Sequence, residues 1–210
     1  MTATHSVILT IGLFGLTFLS PGPNLLVVVQ SSLSAGRSGG IAAGLGVALG
    51  DAIYAALGLL GMAAVIARSG TLFAAIKIVG GVYLLWLAWQ MVRGKSSVRL
   101  GAAPGTSMDA PSNLFLRGFI TDLANPQTVL FFASIFAVTL TASTPVWARI
   151  LSWFGIVAAS AVWRVLLSFA FSRERVRSTY SRWQHAIERV VGAAFAAFGA
   201  RLIAEGISRR

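Results

Sequence analysis

The sequence contains no cysteine and only two histidines, His5 and His185, among its 210 residues. Disulfide bonds and thiolate metal sites are therefore excluded, because both need cysteine sulfur. The two histidines lie near the ends of different apolar segments, where they cannot form a cluster of metal ligands. We therefore expect no metal centre, and nothing else in the sequence indicates a cofactor.

Charged side chains are also scarce, at 11% of the residues, and only six residues are acidic. In contrast, 56% of the residues are hydrophobic and the mean hydropathy is +0.79, far outside the range of soluble globular domains. The net charge of +11 does not indicate nucleic-acid binding, because the basic residues are spread over short connections between apolar segments. This composition is typical of a multi-pass membrane protein.

Six apolar segments are long enough to cross a bilayer, for which about 20 residues suffice. They are residues 6–30, 41–67, 71–92, 114–140, 146–171 and 186–206. A connection rich in glycine, proline and serine, residues 93–113, separates the first three segments from the last three. The sequence thus predicts a single all-α membrane domain of two three-helix halves, residues 1–92 and 114–210. An odd number of helices in each half makes the halves inverted repeats.

The basic residues predict how the chain is oriented in the membrane. The first, third and fifth connections contain eight of them, whereas the opposite side contains four. Because positively charged connections stay in the cytoplasm, we expect the loop at 93–113 to be cytoplasmic and both termini to lie outside.

Helix-breaking residues interrupt the first and fourth predicted segments. Proline removes a backbone donor and blocks the carbonyl one turn earlier, which frees polar groups that lipid cannot satisfy. Each break also starts a half-helix whose free N–H groups and positive dipole end favour a carboxylate. Paired breaks in two halves indicate a transporter's central site, although proline kinks that only aid packing remain an alternative. The predicted substrate-binding residues are Pro21, Gly22, Pro23, Asn24, Asn125, Pro126 and Gln127.

Asp51 lies in the second segment, about 15 Å from its cytoplasmic start at 1.5 Å per residue. Its three- and four-residue spacing from Ala48 and Ala55 places it on a face of small residues that packs against other helices. An ionisable group there is a functional candidate, and we assign Asp51 the binding and release of a coupling proton. An aspartate that only locks two helices together is the alternative.

Three further charged residues are candidates for the site. Arg164 lies about 12 Å from the cytoplasmic end of the fifth segment, where it could pair with Asp51, clamp a substrate carboxylate or extend to the interface. Asp122 precedes the second break, where a helix dipole favours negative charge. Lys77 is nearer the outer end of the third segment, and extension to the interface is its simplest role.

Five stretches of sequence match one known family and together span nearly the whole chain. They are PGPN at 21–24, GRSGGIAAGLGVALGD at 36–51, KIVGGVYLLWLAW at 77–89, GFITDLANPQ at 118–127, and RW followed by RVVGAAFAAFGARL within 182–202. In this combination the chain resembles the LysE/RhtB superfamily of amino-acid exporters. The resemblance implies proton-driven export of amino acids or similar metabolites across the bacterial inner membrane, with both breaks and Asp51 at the site. Gln127 stands where the family usually has lysine, and Arg164 is not part of the family pattern.

Other functions remain open on the residues alone. The same scaffold could export a different cation or a toxic analogue, or the chain could be a membrane scaffold that transports nothing. An enzyme is not expected, because no HExxH, GxSxG or histidine constellation occurs. The expected partners are a small-molecule substrate and the lipid bilayer. Series of small residues such as Gly192/Ala196/Ala200 allow close helix packing, either within one chain or in a homodimer.

Overall fold

The computed structural model describes residues 2–18, 22–93, 110–141 and 143–208, with backbone alone for residues 62–68, 126, 174, 177 and 181. Eight α-helices and no strand occur within these residues. The helices are α1 (Ala3–Thr17), α2 (Pro23–Ser34), α3 (Gly36–Arg68), α4 (Gly70–Val92), α5 (Pro111–Leu123), α6 (Pro126–Thr139), α7 (Val146–Phe171) and α8 (Glu174–Ile207).

Four helices are long and apolar enough to cross a membrane. These spans are Gly36–Gly61 in α3, Gly70–Val92 in α4, Val146–Phe171 in α7 and Arg182–Ile207 in α8. They coincide with the second, third, fifth and sixth apolar segments of the sequence. Two shorter apolar helices, Ala3–Thr17 and Gln127–Thr139, lie in the first and fourth segments. The prediction of an all-helical membrane protein is therefore confirmed for the described residues.

The first and fourth segments are each divided into two helices. The interruption between Thr17 and Pro23 separates α1 from α2, and the one between Leu123 and Pro126 separates α5 from α6. Proline begins α2 and α6, where its missing N–H has no helical partner to lose. Pro21, which the sequence also places at the first break, lies outside the described residues.

Some helices are longer than the apolar segments that predicted them. The helix α8 begins at Glu174, twelve residues before the predicted start at 186, and α3 begins at Gly36 rather than 41. Hydropathy detects only the part of a helix that suits lipid, whereas arginine, glutamate and glutamine in the first turns of α8 are good helix formers in water. Most of the predicted cytoplasmic loop, residues 94–109, lies outside the described residues.

Part of the helix packing is unchanged when the two halves of the chain are exchanged. The helix α1 packs on α7 as α5 packs on α3, and α2 contacts α7 as α6 contacts α3. Likewise, α2 contacts α5 as α6 contacts α1, while α3 with α7 and α4 with α8 join equivalent helices directly. The match is incomplete, because α2 packs mainly on α3 of its own half and α6 also packs on α4, and the described residues show no equivalent contacts of similar size.

The contact between α4 and α8 depends on two facing glycines. A methyl group at Gly81 would lie 2.6 Å from the carbonyl oxygen of Gly199, and one at Gly199 would lie 2.7 Å from that of Gly81. Distances this short do not occur for real side chains, so the two backbones approach each other only because both residues are glycine. Gly192 also packs on α4, against Ala88 and Met91, so this series is used within the chain.

The same interface contains an ion pair in which Lys77 is buried and Glu205 is partly exposed. Lys77 Nζ lies 2.5 Å from Glu205 Oε2, and Arg201 Nε donates to the other oxygen of Glu205 at 2.9 Å. Lys77 is only 3% exposed, so it does not extend to the interface as its position in the sequence suggested. Because a buried ammonium needs a counter-charge, this pair fixes α4 against α8.

Substituting Gly81 with alanine should destabilise the protein. The added methyl would collide with the backbone of α8, at a cost of about 1–3 kcal/mol. The matched control is Gly12→Ala in α1, where a methyl group would meet nothing within 4 Å. Because alanine favours a helix over glycine by about 1 kcal/mol, this control should melt at the same or a higher temperature. Thermal unfolding in detergent micelles measures both; equal melting temperatures would show that the contact is not tight.

Candidate functional site

Four polar side chains join the two helix breaks directly. Asn24 Nδ2 donates to Asp122 Oδ1 at 2.6 Å and lies 3.4 Å from Thr128 Oγ1. Thr128 Oγ1 donates to the same aspartate oxygen at 2.9 Å, and Asn125 Nδ2 donates to Asn24 Oδ1 at 3.4 Å. Each break thus supplies an asparagine to one buried network, and Asp122 lies at its centre.

Two tyrosines and one asparagine satisfy polar groups of the second break. Tyr54 donates its hydroxyl to the carbonyl of Leu123 at 2.6 Å, where α5 ends, and Tyr83 donates to the carbonyl of Gln127 at 3.3 Å. The side-chain oxygen of Asn125 accepts from the amide of Gln127 at 3.0 Å and so caps α6. Tyr54 and Asn125 therefore satisfy backbone groups that the break leaves without a helical partner, as a membrane interior requires. The bond from Tyr83 is an additional contact between α4 and the first turn of α6.

The beginning of α2 is not capped in this way. Its N-cap residue is Gly22, which has no side chain to accept a hydrogen bond, and proline occupies the next position. Among the described residues no side chain caps this turn, and its N–H groups and the positive end of its dipole favour an anion. Gly22 also lies close to the other break, since a methyl group there would be 3.3 Å from Gln127 Oε1.

Asp51 and Arg164 form a second buried cluster beside this network. Arg164 Nη2 lies 3.4 Å from Asp51 Oδ2, and Ser160 Oγ donates to the same oxygen at 2.6 Å. Asp51 is 2% exposed and Arg164 is 6% exposed. Ser160 lies one turn before Arg164 on α7, so both face α3. The pairing of Arg164 with Asp51 that matched depths suggested is therefore present.

Asp122 has no comparable cation. It is fully buried, and none of the basic groups in the described part of the chain lies within ion-pair distance of it. Its Oδ1 accepts the hydrogen bonds from Asn24 and Thr128, whereas Oδ2 has no partner among the described residues. Gly50 packs against this carboxyl group, and a methyl group there would lie 2.9 Å from Asp122 Cβ. The two aspartates therefore differ, because only Asp51 has a counter-charge.

A cavity of about 70 Å³ lies between the two clusters. One part of its wall is polar and comes from both breaks and the ion pair: Asn24, Asp51, Asn125, Gln127, Thr128 and Arg164. Another part is apolar and mainly aromatic: Phe14, Phe18, Leu87, Phe131, Phe132 and Phe195. Such a mixture of convergent polar groups and apolar wall is typical of a small-molecule site.

The structure brings most of the predicted site residues to this cavity, but not all of them. Asp122 lies behind the asparagines rather than in the wall, and Pro23 and Pro126 begin the helices whose first turns form it. Lys77 pairs with Glu205 and does not line the cavity.

Sequence reasoning missed Thr128 and Ser160, although each lies within one turn of a predicted residue, at the spacing that shares a helix face. It also missed the aromatic part of the wall, because phenylalanines that line a cavity have the same pattern as those in a core.

Comparisons with known proteins identify relatives of the whole chain. The model of the LysE type translocator family matches residues 16–206. The uncharacterized membrane protein YahN of Escherichia coli K12 is 53% identical over 211 residues, covering 100% of this chain and 94% of that protein. The threonine efflux protein of the same organism is 31% identical over 187 residues, covering 88% of this chain and 91% of that protein.

The leucine efflux protein of Enterobacter sp. strain 638 matches over a shorter stretch. It is 34% identical over 122 residues, which cover 56% of each chain. No solved structure matches the chain. Together with the apolar helices, the relatives indicate a multi-pass protein of the inner membrane.

Replacing Arg164 with methionine should destabilise the protein more than replacing both members of the ion pair. The single change leaves the Asp51 carboxylate buried without its cation, at a cost of about 3–5 kcal/mol. Adding Asp51→Asn removes that charge and should recover most of the loss. Melting temperatures of the wild type, the two single variants and the double variant form the necessary cycle. Strictly additive losses would show that the two side chains do not interact.

Proposed function

This chain belongs to the LysE type translocator family, and we propose that it exports amino acids or related small metabolites from the cytoplasm in exchange for protons. Members of this family are transporters, so the chain is a transporter and not an enzyme. The observation that carries the proposal is the meeting of two interrupted helices at a cavity whose wall contains a buried carboxylate and a buried guanidinium group.

The proposed architecture is six membrane segments arranged as two inverted repeats, residues 1–92 and 114–210, with the first and fourth segments broken. Part of the helix contacts supports it, because the contacts of α1 with α7 and of α2 with α7 correspond to those of α5 with α3 and of α6 with α3. In transporters of this kind the substrate site lies where broken helices of both repeats meet, near the bilayer midplane. The cavity beside Asn24 and Asn125 is in that position relative to the breaks.

The polar wall can hold both charged groups of an amino acid. The carboxylate suits Arg164 and the uncapped N-terminus of α2, which supply a guanidinium group and free N–H groups. The ammonium group suits Asp51, which lines the same cavity. Arg164 Nη2 and Asp51 Oδ2 lie 3.4 Å apart. A zwitterion that separates them replaces this ion pair with two, one between its carboxylate and Arg164 and one between its ammonium group and Asp51. The names of the relatives, threonine and leucine efflux proteins, support this class of substrate.

Proton coupling follows if the proton and the ammonium group compete for Asp51. Antiport requires that the two be bound alternately, and a single carboxylate that accepts either one enforces this. A proton arriving from outside neutralises Asp51 and releases the ammonium group, while binding of the next substrate from the cytoplasm releases the proton. Asp122 acts here as a positioning residue, because its carboxyl group orients Asn24 and Thr128 rather than touching the cavity.

The proposal can be tested directly by measuring efflux from loaded vesicles. Proteoliposomes loaded with labelled amino acids should release them faster than equally loaded liposomes without the protein. A pH gradient that is acidic outside should accelerate that release several-fold, and collapsing the gradient with an ionophore should remove the acceleration. Release of a non-amino-acid cation instead would favour the alternative that the same scaffold exports a different solute. The absence of any release would favour a scaffold without transport.

Replacing Asp51 with asparagine should abolish the response to the pH gradient. The amide cannot exchange a proton and binds an ammonium group more weakly, so gradient-driven transport should fall at least about tenfold, equivalent to 1.4 kcal/mol. Glu188→Gln is the matched control, because it also changes a buried carboxylate to an amide, lies outside the cavity wall and forms no ion pair with a lysine or arginine among the described residues. This control should keep its pH response. Full gradient-driven transport by the Asp51 variant would assign the coupling proton to another group.

A further inference from the structure

A second cavity lies between the C-terminal half of α7 and the N-terminal half of α8. Its volume is about 200 Å³, and Trp163 and Ala170 of α7 and Val176 and Tyr180 of α8 are among its lining residues. The wall consists almost entirely of hydrocarbon and aromatic groups. It has none of the asparagines or charged groups of the central cavity among its lining residues.

The two cavities are neighbours that share part of their walls. Phe18 and Leu25 line both of them. Consecutive residues also line the two cavities: Arg164 lines the central cavity and Trp163 the second, and Asn24 lines the central cavity beside Leu25, which lines both. The cavities are therefore adjacent, and a substrate that extends from one into the other passes the shared side chains of Phe18 and Leu25.

The volumes suit different parts of such a molecule. The central cavity, at about 70 Å³, is the smaller of the two and has the polar wall that the ammonium and carboxylate groups of an amino acid require. The second cavity, at about 200 Å³, has more room and an apolar wall, which suits a large apolar side chain.

The boundary between the cavities is aromatic. The ring of Phe18 stacks on Trp163, with centroids 5.3 Å apart and an angle of 9° between the planes. Phe18 is the C-cap residue of α1, immediately before the first break, and its N–H donates to the carbonyl of Gly15, so its backbone is held at the end of the helix. It therefore presents a flat apolar surface next to the polar groups that bind the rest of the substrate.

We propose that the second cavity binds the substrate's side chain, and that the exported solutes are amino acids with large apolar side chains. This inference rests on the proposed function, because it assigns the charged end of the same molecule to the central cavity. Apolar walls discriminate between side chains by size, since each methylene group that is buried or missing changes the efficiency of recognition about tenfold or more. Alanine leaves the second cavity unused, whereas leucine and phenylalanine fill part of it.

Exchange measurements on a series of amino acids test this assignment. Proteoliposomes containing the wild type or a variant are loaded with one unlabelled amino acid, and exchange for the same amino acid in labelled form is measured separately for alanine, threonine, leucine and phenylalanine. Ligand-induced changes in melting temperature in detergent give a separate measure of binding. The variant Ala170→Phe places a ring in the cavity from α7, and Val176→Phe does so from α8. Ala158→Phe is the control, because Ala158 is an exposed residue of the same helix α7 and does not line the cavity.

The wild type should exchange and bind leucine and phenylalanine at least about tenfold better than alanine. The cavity-filling variants should lose that preference, with leucine exchange falling about tenfold and alanine exchange changing less than about twofold. The control should behave as the wild type does.

Equal loss for all four amino acids, or an unchanged preference in both filled variants, would overturn the inference. A wild type that exchanges only small or polar amino acids would also overturn it while leaving the proposed function intact. A wild type that neither binds nor exchanges any amino acid would overturn both.

Discussion

A backbone N–H or carbonyl group without a hydrogen-bond partner is costly in a membrane interior. The backbone groups that the two helix breaks expose therefore need partners. At the second break Asn125 caps α6 and the hydroxyl of Tyr54 donates to the carbonyl of Leu123, while the hydroxyl of Tyr83 donates to the carbonyl of Gln127 in the first turn of α6. Asn125 belongs to the break itself, whereas the two tyrosines come from α3 and α4, so the surrounding bundle stabilises the break. The first break adds Asn24 to the same network. The hydrogen bonds at the two breaks therefore also bring residues of the proposed site together.

The charged groups depend on the same enclosure. Asp51 is stable in the bundle because Arg164 and Ser160 face it from α7, and this pairing in turn holds α3 against α7. Asp122 is held differently, by hydrogen bonds to one of its oxygens and by the close approach of Gly50. A cavity between these groups combines a cation, an anion and an uncapped helix end within the reach of one small molecule. A zwitterion complements this arrangement better than a molecule with a single charge.

Hydrophobicity and helix-breaking residues were sufficient to predict the helices in the membrane. Runs of about 20 apolar residues located the four spans, and proline after glycine or asparagine located both interruptions. The polar extension of α8 from Glu174 was not predicted, because nothing in hydropathy distinguishes a helix in water from a loop in water. The role of Lys77 was also misjudged. Its depth in one helix indicated extension to the interface, whereas the counter-charge of Glu205 lies 128 positions away in the sequence.

The sequence by itself determined which residues have to be explained: two breaks in apolar segments, and Asp51, Asp122 and Arg164 within them. It did so because proline geometry and the cost of burying charge are local properties of each residue in lipid. Only the tertiary structure decided which of these residues pair with one another. It paired Arg164 with Asp51 and Asn24 with Asp122, and it placed Asp51 in the cavity wall but not Asp122. Those assignments depend on distances between helices that are about 100 residues apart in the chain, and no local pattern encodes them.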